Sequence, residues 1–124
     1  MDKKKILLID NEKDFTGVVK MALEATGKYE VTVENNGANG FVAARATRPN
    51  LILLDIVMPD MEGSAVAAQI KDNESLKDTP LIFLTAALTR EEAKTQGSVI
   101  GGCPIIAKPV SKEDLISCVE KNIS

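Results

Sequence analysis

The chain has 124 residues, 44% of them hydrophobic, which suits one domain, residues 1–124, with a buried core. Its net charge of −3 and the lack of any basic stripe argue against a nucleic-acid surface. No apolar run reaches the length of a signal-peptide core or a membrane span, so a cytoplasmic setting without membrane contact is expected. Cys103 and Cys118, with no histidine to help them, do not make a zinc site and read as reduced thiols.

The first aliphatic run, Ile6-Leu7-Leu8-Ile9, predicts a strand that ends in Asp10-Asn11-Glu12. Phe15, Val18, Val19, Ala22 and Leu23 then follow at the spacing of one helical face, with Asn11 or Glu12 near the helix start and Gly27 placed to end it. Tyr29 to Val33 reads as a second strand. After Asn36-Gly37 a second helix is expected to carry Ala38, Phe41, Val42 and Ala46, with Phe41 in the core, and Arg48-Pro49 breaks it because the residue before proline avoids helical geometry.

Leu51-Ile52-Leu53-Leu54 predicts a third, fully buried strand closing on Asp55. A loop through Met58-Pro59 and Gly63 leads to a helix from about Ser64 to Asn73, with Ala65, Val66, Ala68 and Ile70 inward. Leu81 to Leu84 forms a fourth strand ending at Thr85. Thr89, with Glu92 three residues on, looks like the cap of a short helix. Gln96 to Gly102 reads as a flexible connection, Ile105 to Ala107 as a fifth strand ending at Lys108-Pro109, and Ser111 as the cap of a last helix carrying Leu115, Cys118 and Val119. Near-continuous aliphatic strands alternating with helices specify an α/β fold, a parallel sheet covered on both faces. Right-handed crossovers place every strand's carboxyl end on one rim. Asp10, Asn11, Asp55, Thr85 and Lys108 therefore converge on one edge of the sheet.

These residues, in this order and at these separations, resemble the receiver domain of bacterial two-component response regulators over essentially the whole chain. The signature is Asp10-Asn11, Asp55, Met58-Pro59 with Gly63, Thr85, and Lys108-Pro109. The resemblance implies a doubly wound, flavodoxin-like five-stranded sheet in the order 2-1-3-4-5. It also implies a phosphorelay role. Asp55 would accept a phosphoryl group from a sensor histidine kinase, a phosphotransfer protein or a small phosphodonor, and a surface read by a downstream protein target would shift. Such a domain promotes its own phosphorylation and dephosphorylation but is not a classical enzyme.

A carboxylate attacks an anionic phosphoryl group only if cations stand beside it. The resemblance assigns Mg²⁺ or Mn²⁺ to Asp10, Asn11, Asp55 and the backbone carbonyl of Val57, an all-oxygen set suited to a hard cation. It assigns Lys108 and Thr85 to the phosphoryl oxygens, and it places Val57 and Ala87 beside the pocket, where apolar groups would hinder an attacking water. Glu12, next to the cluster, reads as a helix-start carboxylate facing the dipole.

Two departures from the family pattern stand out. Asn11 replaces a usual acid and removes one negative charge. Two unit charges ~4 Å apart at an effective dielectric of ~20 interact by about 4 kcal/mol, so weaker Mg²⁺ binding is expected. Ile105 stands where the family usually carries Tyr or Phe, so no ring is available to turn inward on phosphorylation. Both changes motivate an alternative, a degenerate receiver acting as a phosphorylation-independent interaction module. A flavodoxin-like binder or a phosphohydrolase fits less well, since no Gly-rich phosphate loop follows the first strand. The oligomeric state stays open.

Overall fold

The two hydrophobic clusters of the protein follow from the two-residue period of its strands. In the computed structural model, which describes residues 3–56, 63–85, 99–100, 103–107 and 111–123, strands β1 (Lys4–Ile9), β2 (Tyr29–Glu34), β3 (Leu51–Asp55), β4 (Leu81–Thr85) and β6 (Cys103–Ala107) run parallel in one sheet. Leu7, Ile9, Ile52, Leu54, Leu81, Phe83 and Ile105 point to one face, where they meet Ala44 of α2 (Gly40–Thr47) and Val66 and Ile70 of α3 (Gly63–Lys71). Ile6, Leu8, Leu51, Leu53, Ile82 and Leu84 point to the other, against Val19 and Leu23 of α1 (Lys13–Glu24) and Leu115 and Val119 of α4 (Lys112–Asn122).

The parallel strands take the expected order 2-1-3-4-5, with β6 as the fifth of them. A short strand, β5 (Val99–Ile100), adds to the outer edge, antiparallel to β6, with Ile100 opposite Cys103. The sequence reading placed these two residues in a flexible connection. Two residues are too few for a periodic signal, and only their pairing reveals them.

The opposite edge, β2, is closed by side chains of α1. Lys20 Nζ donates to the Val31 carbonyl at 2.6 Å, and Glu24 Oε2 accepts from the Val31 N–H at 3.0 Å. These bonds satisfy edge groups that would otherwise template another strand. Lys20 and Glu24 also form an ion pair with each other at 3.2 Å.

Helix faces differ from the sequence expectation in an instructive way. In α1, Val18 is exposed and Thr16 buried. In α2 the buried positions are Gly40 and Ala44, preceded by Gly37 in a short 3-10 turn (Gly37–Asn39), while Ala38, Val42 and Ala46 face outward and Phe41 is half-buried. In α3, Ala67 joins Val66 and Ile70 inside, and Ala65 and Ala68 are exposed. Steric fit decides here, not hydropathy. A Cβ on Gly40 would lie 3.0 Å from Ile9 Cδ1 and 3.2 Å from Val66 Cγ1, so α2 packs on its smallest residues. The third helix ends at Lys71, two residues before the expected Asn73.

Several boundaries agree with expectation. Gly27, at φ 78, follows α1, and Ser111 Oγ accepts from the Asp114 N–H at 3.1 Å as the cap of α4. Arg48 takes a left-handed conformation at φ 46 and its N–H closes α2 on the Ala44 carbonyl, directly before Pro49. The helix expected from Thr89 lies outside the described residues.

Candidate phosphoacceptor and metal site

Strand register brings the polar ends together. Ile9 pairs with Leu54, so Asp10 and Asp55 follow side by side, one residue beyond the last aliphatic pair of β1 and β3. Asp55 itself pairs with Leu84, which puts Thr85 one step further on the neighbouring strand, and Thr85 pairs with Ala107. Lys108, next in sequence after Ala107, lies outside the described residues, as do Val57 and Ala87.

All three described groups at strand ends are enclosed: Asp10 is 0% exposed, Asp55 2% and Thr85 1%. Asn11 is half-buried beside them and Glu12 is exposed. One carboxylate oxygen each from Asp10, Glu12 and Asp55 lies within 4.8 Å of the others. Two unit negative charges at 4.8 Å and an effective dielectric of ~20 repel by about 3.5 kcal/mol. Such a group is stable as carboxylates only with positive charge close by. The donor set, all hard oxygens, is one that Mg²⁺ or Mn²⁺ accepts.

The first turn of α1 fixes Asp10. Its Oδ1 accepts from the Glu12 N–H at 2.9 Å, and its backbone carbonyl accepts from Asn35 Nδ2 at 2.8 Å. Asn35 also donates to Thr16 Oγ1 at 3.3 Å, and that hydroxyl donates in turn to the Lys13 carbonyl. Asn35, just past the end of β2, therefore ties that strand end to the loop carrying Asp10. Nothing in its sequence context marks it, since an asparagine after a strand is ordinary.

On the other side, Gly63 secures the chain beyond Asp55. Its N–H donates to the Ile56 carbonyl at 2.8 Å, and its Cα sits against the Asp55 carbonyl so closely that a Cβ would overlap it. Glu12 lies at the helix start, as expected. It occupies the N-cap of α1 with extended backbone angles, φ −88 and ψ 99, yet its side chain makes no capping bond to the helix. Instead its carboxylate joins the Asp10–Asp55 group.

A doubly wound sheet with an acidic group at the carboxyl ends of its first and third strands defines a flavodoxin-like protein built around an anionic rim. The family model described as "Response regulator receiver domain" matches residues 6–120, and the chain belongs to that family. Phosphorylation on an aspartate is the family's function, carried out in exchange with histidine kinases or phosphotransfer proteins, and its members bind Mg²⁺ and are generally not classical enzymes.

Among similar proteins, PilG of Pseudomonas aeruginosa is 30% identical over 122 residues, covering 98% of this chain and 89% of PilG. The phosphate regulon transcriptional regulatory protein PhoB of the same organism is 34% identical, covering 92% of this chain and 49% of PhoB. The nisin biosynthesis regulatory protein NisR of Lactococcus lactis is 36% identical, covering 96% and 50%. The chain thus spans most of one such relative and about half the length of the others. The solved structure of chemotaxis protein CheY4 of Vibrio cholerae superposes with a TM-score of 0.84 at 25% identity, covering 98% of this chain and 100% of that one. Among the described residues no helix is long and apolar enough to cross a membrane.

Proposed function

We propose that Asp55 is the phosphoacceptor of this receiver. The single observation that carries the reading is the register placing buried Asp55 between Asp10, just past β1, and Thr85 at the end of β4. A carboxylate oxygen of Asp55 attacks phosphorus, a new P–O bond forms, and the bond from phosphorus to the donor's nitrogen or oxygen breaks with its electron pair leaving on the donor. Thr85 donates its hydroxyl to a phosphoryl oxygen, and Lys108 places an ammonium on another. Asp10, Asp55, the side-chain oxygen of Asn11 and the Val57 carbonyl would hold Mg²⁺ or Mn²⁺, which would supply positive charge to the phosphoryl oxygens. Burial of Asp10, Asp55 and Thr85 strengthens the electrostatic contacts they make.

The partners of this reading are a sensor histidine kinase or phosphotransfer protein upstream and a protein target downstream. Exposure to acetyl phosphate and Mg²⁺, followed by intact-mass measurement, tests it. Wild type gains one acid-labile phosphoryl group and Asp55→Ala gains none; equal behaviour of the two ends the proposal.

A second reading, an interaction module that ignores phosphorylation, draws support from Ile105. This residue is buried on β6 beside Phe83 of β4 and offers no aromatic ring to turn between pocket and surface. Amide spectra with and without a phosphoryl mimic separate the two. Changes that extend beyond the pocket favour the switching receiver, and changes confined to it favour the module.

A further inference from the structure

Asn11 removes a carboxylate from the cation site that this family carries, whereas the geometry of α1's first turn brings another one in. We infer that Glu12 takes over the missing acidic ligand, so that the divalent cation is held by the carboxylates of Asp10, Glu12 and Asp55. The inference rests on the receiver reading of the site.

Three observations converge on Glu12. Its carboxylate oxygen lies within 4.8 Å of those of Asp10 and Asp55. As N-cap of α1 it would ordinarily bond a helix N–H, and its side chain makes no such bond. Its own N–H is committed to Asp10 Oδ1 at 2.9 Å, which fixes the turn between the two residues and keeps both carboxylates at one end of the helix. Asp10 and Asp55 are enclosed while Glu12 is exposed, so a cation shared by the three would have Glu12 on its solvent side.

Charge gives the reason this arrangement suits the sequence. With Asn11 neutral, Asp10 and Asp55 alone present two negative charges to the cation. Glu12 brings the count to three, all hard oxygen donors. Mg²⁺ retains several waters, so an exposed, flexible glutamate can ligate directly or through one of them. The affinity expected to fall because of Asn11 is thereby recovered one residue later in the chain.

The test is Mn²⁺ binding measured by electron paramagnetic resonance, with Mg²⁺ competition, on wild type, Glu12→Gln, Asn11→Asp and the double variant. Glu12→Gln is expected to weaken Mn²⁺ about tenfold or more. Asn11→Asp in the Glu12→Gln background should restore most of the loss, and by itself should gain less than it does in that background. Glu12→Gln binding within twofold of wild type overturns the inference, as does an Asn11→Asp gain of the same size with and without Glu12. Asp55→Asn distinguishes the failures. If it too leaves Mn²⁺ affinity unchanged, or if wild type binds no Mn²⁺, the site reading itself falls along with the role of Glu12. Urea unfolding of each variant without metal verifies that it is folded before titration.

Discussion

Gly63 and the carbonyl of Asp55 occupy adjoining space with no room for a side chain between them: a Cβ on residue 63 would overlap that oxygen and lie 2.8 Å from Ile56 Cα. The start of α3 therefore holds the backbone of β3 at its last residue. Gly63→Ala must push this contact apart. We expect a loss of about 1–3 kcal/mol in urea unfolding, typical of overpacking, together with slower phosphorylation. Gly17 is the internal control, since a Cβ there meets nothing within 4 Å and the position is an exposed helix interior. Gly17→Ala should stabilise by roughly 0.5–1 kcal/mol. Equal midpoints for the two variants would contradict the steric account.

Carboxylates buried this close together would be stabilised by a cation bound among them, which makes metal dependence of stability a test of the proposed site. Asp55→Asn removes one of the charges and should raise stability in metal-free buffer relative to wild type. Wild type should gain more from added Mg²⁺, about 2.7 kcal/mol at 100 times the dissociation constant. Identical Mg²⁺ shifts in the thermal midpoints of wild type and Asp55→Asn would rule out a cation at this group.

Asn35 is expected to matter for the site although no reagent meets it. Truncation to Ala removes the donor to the Asp10 carbonyl and the bridge to Thr16. Loss of such a part-buried bond costs about 1–3 kcal/mol. Mg²⁺ affinity should fall with it, because the loop carrying Asp10 loses its tie to β2. Unchanged stability and unchanged affinity, measured by unfolding and by Mg²⁺ titration, would show the bridge to be incidental.

A pH dependence is expected at the guarded edge. The Val31 N–H bonded to Glu24 holds its carboxyl below the ordinary value of 4.5, with the Lys20 ammonium adding to the effect and burial opposing it. A carboxylate with a depressed folded pKa contributes stability that is fully present above its unfolded pKa and is lost as pH falls through the folded one. The stability difference between wild type and Glu24→Gln should therefore be constant near neutrality and shrink as pH drops below about 4.5. A difference that is flat from pH 7 to pH 3 would refute the linkage, which solvent exposure at this pair keeps modest.

The sequence made the sheet and its rim readable because buried parallel strands are written as unbroken aliphatic runs, and an acid directly follows β1 and closes β3. Asp10, Asp55 and Thr85 were legible for the same reason. The inner face of α2 was not, because Gly40 and Ala44 are chosen for their small size against Ile9 and Val66, and hydropathy favoured Phe41 and Val42 instead. Glu12 was legible as a helix-start acid, but its nearness to Asp10 and Asp55 was not, because side-chain direction at an N-cap is not written in the sequence. Asn35 acts through a partner 25 residues away, a relationship that no local pattern encodes.

The identity of the phosphoryl acceptor is the claim on which the account turns. Borohydride reduction after acetyl phosphate treatment converts an aspartyl phosphate to homoserine, which peptide mass mapping locates. We predict homoserine at position 55 alone, dependent on added Mg²⁺. Homoserine at position 10, or an unmodified residue 55 in a protein that has taken up phosphate, would contradict the account.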